Sequence, residues 1–427
     1  GCGGLSLGLE SAGFIPVMFS ELDKNTRESF KSNVSHSQDL IEIGNVKELT
    51  DKNSKLLHHH LKSLKEKGIN EIDLVCGGPP CQAYSGIGHR RSYNTDKKNQ
   101  PIAKLYQDMA KIIQVVNPKL FLFENVRGLL TARWSKEGDK GEIFEDVLKT
   151  FSSIKGYKIG WNLLYAKNYG APQNRPRIFL VGVRKDLDFF TNYSLERTGQ
   201  QSLTSSKYPS EKTSESLGRA LEWGLLPNKK RQLSHLNIVD VWGDLLDKDY
   251  VNGGRTEKYR YSVNNDFQRM MRTKPDGKLM EKGSKLTEQE YSKHSSHIIE
   301  KFTYIITNQV YSKDNLPSKF RTNKFAQRLL PERWKTEGPS ITATSLPDDF
   351  IHYCQPRIPT VREWARLQTF PDWTQFHGKR TTGGIRRAGD PTSGIFDREL
   401  PKYTQIGNAV PVNLAKEIGL HLLKFLN

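Results

Sequence analysis

Ile72-Asp73-Leu74-Val75-Cys76-Gly77-Gly78-Pro79-Pro80-Cys81-Gln82 is the stretch that decides the fold. A short, largely apolar run bounded by turn residues reads as a buried strand. Paired glycines let the backbone turn sharply, and paired prolines fix φ and stop the strand. In open α/β sheets, ligands bind outside the carboxyl ends of the strands. Cys81 therefore stands where a nucleophile meets substrate; the other reading is a small apolar residue in a rigid turn. Cys76 lies inside the strand and reads as core.

Working outward, PVMFS (16–20), LFLFE (120–124) and RIFLVGV (177–183) also read as buried parallel strands. Helical patterns separate them, among them LYQDMAKIIQVV (105–116), which closes on Asn117-Pro118. Strand–helix alternation of this kind predicts a doubly wound, Rossmann-like α/β domain. After Arg184 the texture changes. Residues 190–350 carry polar clusters, weak periodicity and aromatics interleaved with Lys and Arg, which predicts a second, irregular domain. Helical spacing returns in TVREWARLQTF (360–370) and VPVNLAKEIGLHLLKFL (410–426).

Composition narrows the function. The 427 residues hold 65 Lys+Arg against 47 Asp+Glu, a net charge of +18 spread along the chain. That balance suits a polyanionic partner, the alternative being plain solubility charge. At 36 % hydrophobic the chain is too apolar for a disordered one. No run approaches the ~18 apolar residues of a membrane span, and the amino terminus lacks the pattern of a secretory signal. Four cysteines without a C-x-x-C pair predict a reducing, cytoplasmic setting. His58, His59 and His60 read as a solvated helix face, and no metal is expected.

Four further motifs carry chemistry. Gly1-Cys2-Gly3-Gly4 precedes a helical pattern, as in a backbone cradle or a plain turn. Glu21 follows PVMFS, where a Rossmann-type site grips ribose hydroxyls. Glu124 in Phe123-Glu124-Asn125-Val126 ends an apolar strand beside the thiol, as a general acid of raised pKa or as an ion-paired acid. Gln173, Arg175 and Arg177 alternate along an extended segment and share a face that suits a carbonyl or phosphate.

These ordered motifs resemble those of the DNA (cytosine-5)-methyltransferases of the bacterial restriction-modification type. GCGG is similar to the end of the cofactor motif and GGPPCQAYS to the Pro-Cys motif. FENV is similar to the Glu-Asn-Val motif and QNRPRIFLVGVR to the Gln-x-Arg-x-Arg motif. RIPTVREWARLQTFPDW (357–373) and QIGNAVPV (405–412) resemble the ninth and tenth. The resemblance implies S-adenosyl-L-methionine as methyl donor and a cytosine flipped out of duplex DNA as acceptor. It implies Cys81 as nucleophile on C6 and Glu124 on N3. Asn125 would position that carboxylate and the neighbouring loop, Arg177 would hold the base carbonyl, and Arg175 would brace the loop. Around the cofactor it implies Gly1, Gly3, Gly4 and Leu5, Glu21 on the ribose and Leu22 on the adenine. Asn45, Val46, Pro80 and Leu105 would line the pocket, with Asn408 and Ala409 closing it.

For DNA the resemblance points to Gln82, Ser85, Arg90 and Arg91 in a closing loop. Ser340-Ile341 stands where the recognition domain has a Thr-Leu element. The expected organisation is a catalytic domain of 1–185 plus 401–427 and a recognition domain of 186–400. The latter comprises the variable region 186–356, the ninth-motif helix and a basic insertion 377–400 with Lys379, Arg380, Arg386 and Arg387. Arg255, Arg260, Arg269 and Arg272 are the expected readers of base edges. Family members carry an Asp-Leu-Phe-type strand with an adenine-stacking aromatic before the first glycine. The sequence here begins at Gly1, so weaker cofactor binding is expected of it. Asn45 stands where an Asp is usual. The implied setting is a cytoplasmic monomer paired with a cognate restriction endonuclease. A tRNA-methylating relative and a binding protein without turnover are the rival readings.

Overall fold

The structure is a computed structural model. It describes residues 1–34, 39–51, 54–80, 104–135, 137–187, 219–228, 236–321, 327–333, 338–341, 347–381 and 400–426. Cys81, Gln82, Ser85, Arg90, Arg91, Arg386 and Arg387 lie outside the described residues.

Helix α1 (Gly4–Ala12) starts directly behind Gly3, whose φ of 99° lies in the left-handed region that glycine adopts without strain. Strand β1 (Met18–Ser20), helix α2 (Lys24–Asn33) and strand β2 (Ile41–Ile43) follow. Asp23 caps α2 by accepting from the Thr26 N–H. Helices α3 (Lys47–Thr50) and α4 (Leu56–Glu66) lead to β3 (Leu74–Gly77), and the three histidines ride on α4. Next come α5 (Leu105–Val116), β4 (Leu120–Val126), α6 (Glu142–Ser152), β5 (Tyr157–Tyr165) and β6 (Pro176–Arg184). Helix α5 spans the predicted 105–116 and ends on Asn117 at φ 49°.

Strands β1 and β2 form a parallel pair, and β3, β4, β6 and β5 form a mixed sheet in that order. Strand β3 is parallel to β4, with Gly77 opposite Phe123. Here the sequence reading is corrected. RIFLVGV, expected as a parallel strand, runs antiparallel to both β4 and β5 in β6. The link 166–175 holds one 3-10 turn and no crossover helix, and a parallel neighbour needs such a crossover. Buried runs read alike in either direction, so the pattern could not tell them apart.

The variable region contributes α7 (Ile238–Trp242), α8 (Asp266–Arg272), α9 (Ser296–Thr307) and a short pair, β7 (Arg328–Leu329) with β8 (Phe350–Ile351). Helix α10 (Val361–Leu367) is the predicted ninth-motif helix, opened by a Thr360/Glu363 capping box. A further correction concerns QIGNAVPV. It does not simply open the last helix, because Gln405–Asn408 closes α11 (Lys402–Asn408) and α12 (Val412–Leu422) starts behind Pro411. Val410 precedes proline, a position biased away from helix, so the chain breaks there. Helices α1 and α12 pack with almost no gap. A Cβ on Gly8 would lie 2.4 Å from the Ala415 Cβ.

One core cluster joins Cys2 and Leu7 to Trp242, Trp364, Phe370, Tyr403 and Val412. Helix α10 runs through it carrying charges. Arg357 donates two hydrogen bonds to Glu363, at 2.8 and 2.6 Å. Arg366 bridges Asp372 at 2.6 and 3.0 Å and Asp244 at 2.9 Å. All five side chains are buried, which charged groups tolerate only when paired and hydrogen-bonded.

Candidate active site

The site is built where β3 and β4 end side by side. Glu124 lies on β4 opposite Phe179 of β6, and Arg177 lies opposite Val126. This register turns both side chains to one place, and the Arg177 Nε meets Glu124 Oε1 at 2.8 Å. Both residues are buried. Burial pushes the Glu124 carboxyl above its ordinary pKa, against the pull of Arg177 and Arg175. The second carboxylate oxygen faces the Pro-Cys turn. A Cβ on Gly78 would lie 2.4 Å from Glu124 Oε2, so glycine is the residue that fits. Asn125 fastens the same turn by donating from Nδ2 to the Pro79 carbonyl at 3.1 Å. The described chain stops at Pro80, one residue before Cys81.

Gln173, Arg175 and Arg177 do not converge on one target. Arg177 alone meets the carboxylate. Arg175 donates to the Ile341 carbonyl at 2.6 Å and to the Gly407 carbonyl. Gln173 donates to the Leu367 carbonyl at 2.5 Å and to Gln368 Oε1 at 2.7 Å. The backbone changes partners at Pro176, where β6 begins, so Gln173 and Arg175 face α10, α11 and the 338–341 segment. Ser340 is exposed beside Ile341.

Of the candidate cofactor residues, Glu21 and Leu22 follow β1, Asn45 and Val46 follow β2 and Pro80 follows β3, while the rest lie at α1, α5 and the end of α11. Glu21 follows β1, and its carboxylate accepts from the Gly1 nitrogen at 2.5 Å and the Asp23 N–H at 2.9 Å. Leu22 is 73 % exposed, an open aliphatic face beside an acid. Gly3 and Gly4 are buried at the start of α1, with Leu5 half-buried. A Cβ on Gly4 would strike the Val410 carbonyl at 2.4 Å, which seats α1 against the Ala409–Val410 turn. Asn45 is exposed after β2, where its side-chain oxygen already accepts from the Lys47 N–H at 3.1 Å and keeps one lone pair. Val46 caps α3. Pro80 is exposed, Leu105 starts α5, and Asn408 is exposed at the end of α11 next to buried Ala409. An acid for hydroxyls, an aliphatic plate and a glycine-led helix start fit an adenosine-containing group.

The basic candidates divide. Arg272 is corrected outright. It is fully buried, donates to the Met280 and Tyr261 carbonyls at 2.5 and 2.8 Å, and lies 3.9 Å from the Tyr259 ring centroid. Its aromatic and glycine neighbours, taken as a sign of a reading surface, enclose it instead. Arg255 pairs with Glu257 at 2.8 Å and Arg260 with Asp247 at 3.1 Å, while Arg269 is exposed on α8. Arg380 donates to Ser292 Oγ at 2.8 Å, and Lys379 is exposed. Sequence reasoning missed the close approach of the Glu124 carboxylate to Gly78 and the side-chain work of Gln368 and Asp244. Only Gly78 carried a signal, its place in the Gly-Gly-Pro-Pro run.

Comparisons with known proteins bear on the family and the fold. The family model for C-5 cytosine-specific DNA methylases matches residues 1–424. The type II methyltransferase M.DdeI of Desulfomicrobium norvegicum is 28 % identical over 98 % of this chain and 86 % of its own length. M.Sau96I of Staphylococcus aureus is 27 % identical over 100 % of this chain and 75 % of its own. A solved structure from E. coli, described as a DNA modification methyltransferase encoded within a prophage, superposes with a TM-score of 0.62 at 21 % identity. It covers 100 % of this chain and 97 % of that one, and it supports the fold. No helix among the described residues is long and apolar enough to cross a membrane. With Glu124 and Arg177 paired beside the Pro-Cys turn and the match running nearly end to end, this chain belongs to the C-5 cytosine-specific DNA methylase family.

Proposed function

We propose that the chain is a cytoplasmic, monomeric enzyme that methylates C5 of a cytosine flipped out of a specific duplex DNA sequence and so protects that DNA from a separate, cognate restriction endonuclease. The observation that carries the reading is the buried Glu124–Arg177 pair, 2.8 Å apart and beside the turn that ends in Pro80. Relatives named type II methyltransferases support the restriction context. The division of labour follows the expected domains: 1–185 plus 401–427 for catalysis, 186–400 for recognition.

The chemistry follows from the groups. Cytosine C5 is a poor nucleophile while the ring is intact, and the base must leave the stack before side chains reach it. The Cys81 thiolate adds to C6. Glu124, whose carboxyl burial raises above its ordinary pKa, gives a proton to N3 as negative charge builds there, and the ring becomes an enamine nucleophilic at C5. Arg177 fixes the carboxyl and reaches the base carbonyl. Asn125 holds the turn that aims Cys81. S-adenosyl-L-methionine, seated by Gly1, Gly3, Glu21, Leu22 and Asn408, supplies the methyl group that C5 takes. A base then removes the C5 proton, and Cys81 leaves as the double bond returns. The test is a duplex in which 5-fluorocytosine replaces cytosine. Fluorine cannot leave as a proton does, so the enzyme is trapped on DNA, and the cross-linked peptide carries Cys81. Attachment located by peptide sequencing at Cys2, Cys76 or Cys354 overturns the assignment, and trapping on tRNA alone favours the RNA reading.

A further inference from the structure

Two buried glutamines connect segments that the reaction uses separately. Gln173 precedes β6 and its Arg177. Its Nε2 donates to the Leu367 carbonyl and to Gln368 Oε1, and its Oε1 accepts the Ile341 N–H at 3.4 Å. Gln368, just past α10, donates from Nε2 to the Ile406 carbonyl at 2.8 Å and to the Ala409 carbonyl at 2.9 Å. Those two carbonyls flank Gly407 and Asn408, and Arg175 takes the Gly407 carbonyl. Gln173 and Gln368 are 1 % and 0 % exposed. All four N–H donors of the two amides are engaged, and each side-chain oxygen accepts one bond. Neither amide can turn over without setting donor against donor, so the pair has one arrangement.

The segment below is equally fixed. The Gln368 carbonyl accepts from the Val412 N–H at 3.0 Å, and Thr369 Oγ1 accepts from the Asn413 N–H at 2.9 Å. Thr369 holds a φ of 56°, a left-handed backbone that a β-branched residue keeps only when its surroundings enforce it. The α10–α11–α12 junction is thus a rigid piece, and Gln173 is its handle on the base-facing segment.

On the methyltransferase reading above, we propose that Gln173 and Gln368 are positioning residues that couple the Asn408 end of α11 to the Arg177 end of β6, so that filling either the cofactor or the DNA side favours the other. Neither glutamine touches a reacting atom. Their work is to keep Ile406–Ala409, Ile341 and the start of β6 in one register.

Coupling of this kind is reciprocal and typically about 5–150-fold. The experiment measures the affinity of S-adenosylhomocysteine with and without a duplex carrying the mapped methylation site. It then measures the affinity of that duplex with and without S-adenosylhomocysteine. The unmutated enzyme shows the same factor both ways, about fivefold or more. Gln368→Met, which keeps length but loses both donors, brings the factor below about twofold, and adding Gln173→Met lowers it no further. A Gln368→Met enzyme that keeps the full factor overturns the proposal, whether or not its melting point falls. So does an unmutated enzyme that binds both ligands without coupling. An unmutated enzyme that binds neither overturns the methyltransferase reading itself. Should the variants not fold, hydrogen exchange in the unmutated enzyme decides. Added duplex alone slows exchange at Ile406–Ala409 if the relay operates, and unchanged exchange there refutes it.

Discussion

At the Glu124 side chain, function and burial meet. Its carboxyl is raised by burial, although Arg177 and Arg175 pull it down. A raised acid is protonated below its folded-state value and loses its proton above it. The single-turnover rate limited by N3 protonation is therefore expected to fall as pH rises through that value. Glu124→Gln removes this limb and slows methyl transfer by about 10²–10⁴-fold, with cofactor affinity nearly unchanged; pH profiles of both enzymes check it. Gly78→Ala is expected to push the Glu124 carboxylate off Arg177, because its Cβ would lie 2.4 Å from Oε2. The fall should appear in kcat, with the KM for S-adenosyl-L-methionine within about twofold, as befits a transition-state interaction. The position of Glu124 was legible in the sequence because it lies near the end of an apolar run, whereas Cys81 follows its strand by a Gly-Gly-Pro-Pro turn and lies outside the described residues. Arg272 misled because a run of Arg and aromatics looks the same whether it lines a groove or encloses its own guanidinium.

Helix α10 shows what periodicity hides. VREWARL has helical spacing, and every residue of it, arginines included, is buried. Its charges meet partners near in sequence, Arg357 and Asp372, and one far off, Asp244, and no helical periodicity encodes them. Strands β1 and β2 span three residues each, and β2 is too short for any pattern to mark. Helix α9 has apolar spacing in SHIIEKFTYIIT that the surrounding polar text concealed. The Arg357–Glu363 pair yields a prediction at this scale. Burial raises the Glu363 pKa, but Arg357 and the Thr360 N–H pull harder and lower it from an ordinary 4.5 to about 2. A depressed acid stabilises the fold above the unfolded value, so this contribution is full at neutral pH and is lost as pH falls from about 4.5 towards 2. Glu363→Gln leaves Arg357 buried and unpaired. It is expected to cost about 3–5 kcal/mol at pH 7 and to flatten stability between pH 5 and 3. Urea titrations across that range measure both effects.

Across the whole molecule, the catalytic motifs carry no sequence information, so discrimination is assigned to residues 186–356. Grafting that region into a relative of different specificity is expected to transfer the methylation pattern, read by mapping modified cytosines on a plasmid. A hybrid that is active but keeps its host's pattern refutes the assignment. With a net charge of +18, non-specific duplex binding is expected to weaken steeply with salt, as phosphate contacts dictate; titrations at several salt concentrations give the slope. The buried ion network bears on how such regions change hands. Arg366 and Asp372 stand on the constant side, while Asp244 comes from the variable side together with Arg272 and Tyr259, whose hydroxyl donates to Asp372 at 2.6 Å. The 186–356 segment is therefore a plug with fixed pins. One without Asp244 leaves the buried Arg366 with Asp372 as its remaining carboxylate partner among the described residues, and is expected to fold less stably in its recipient. Exchange of this region is therefore expected to succeed best between relatives that keep the same paired charges, whatever sequence each of them reads.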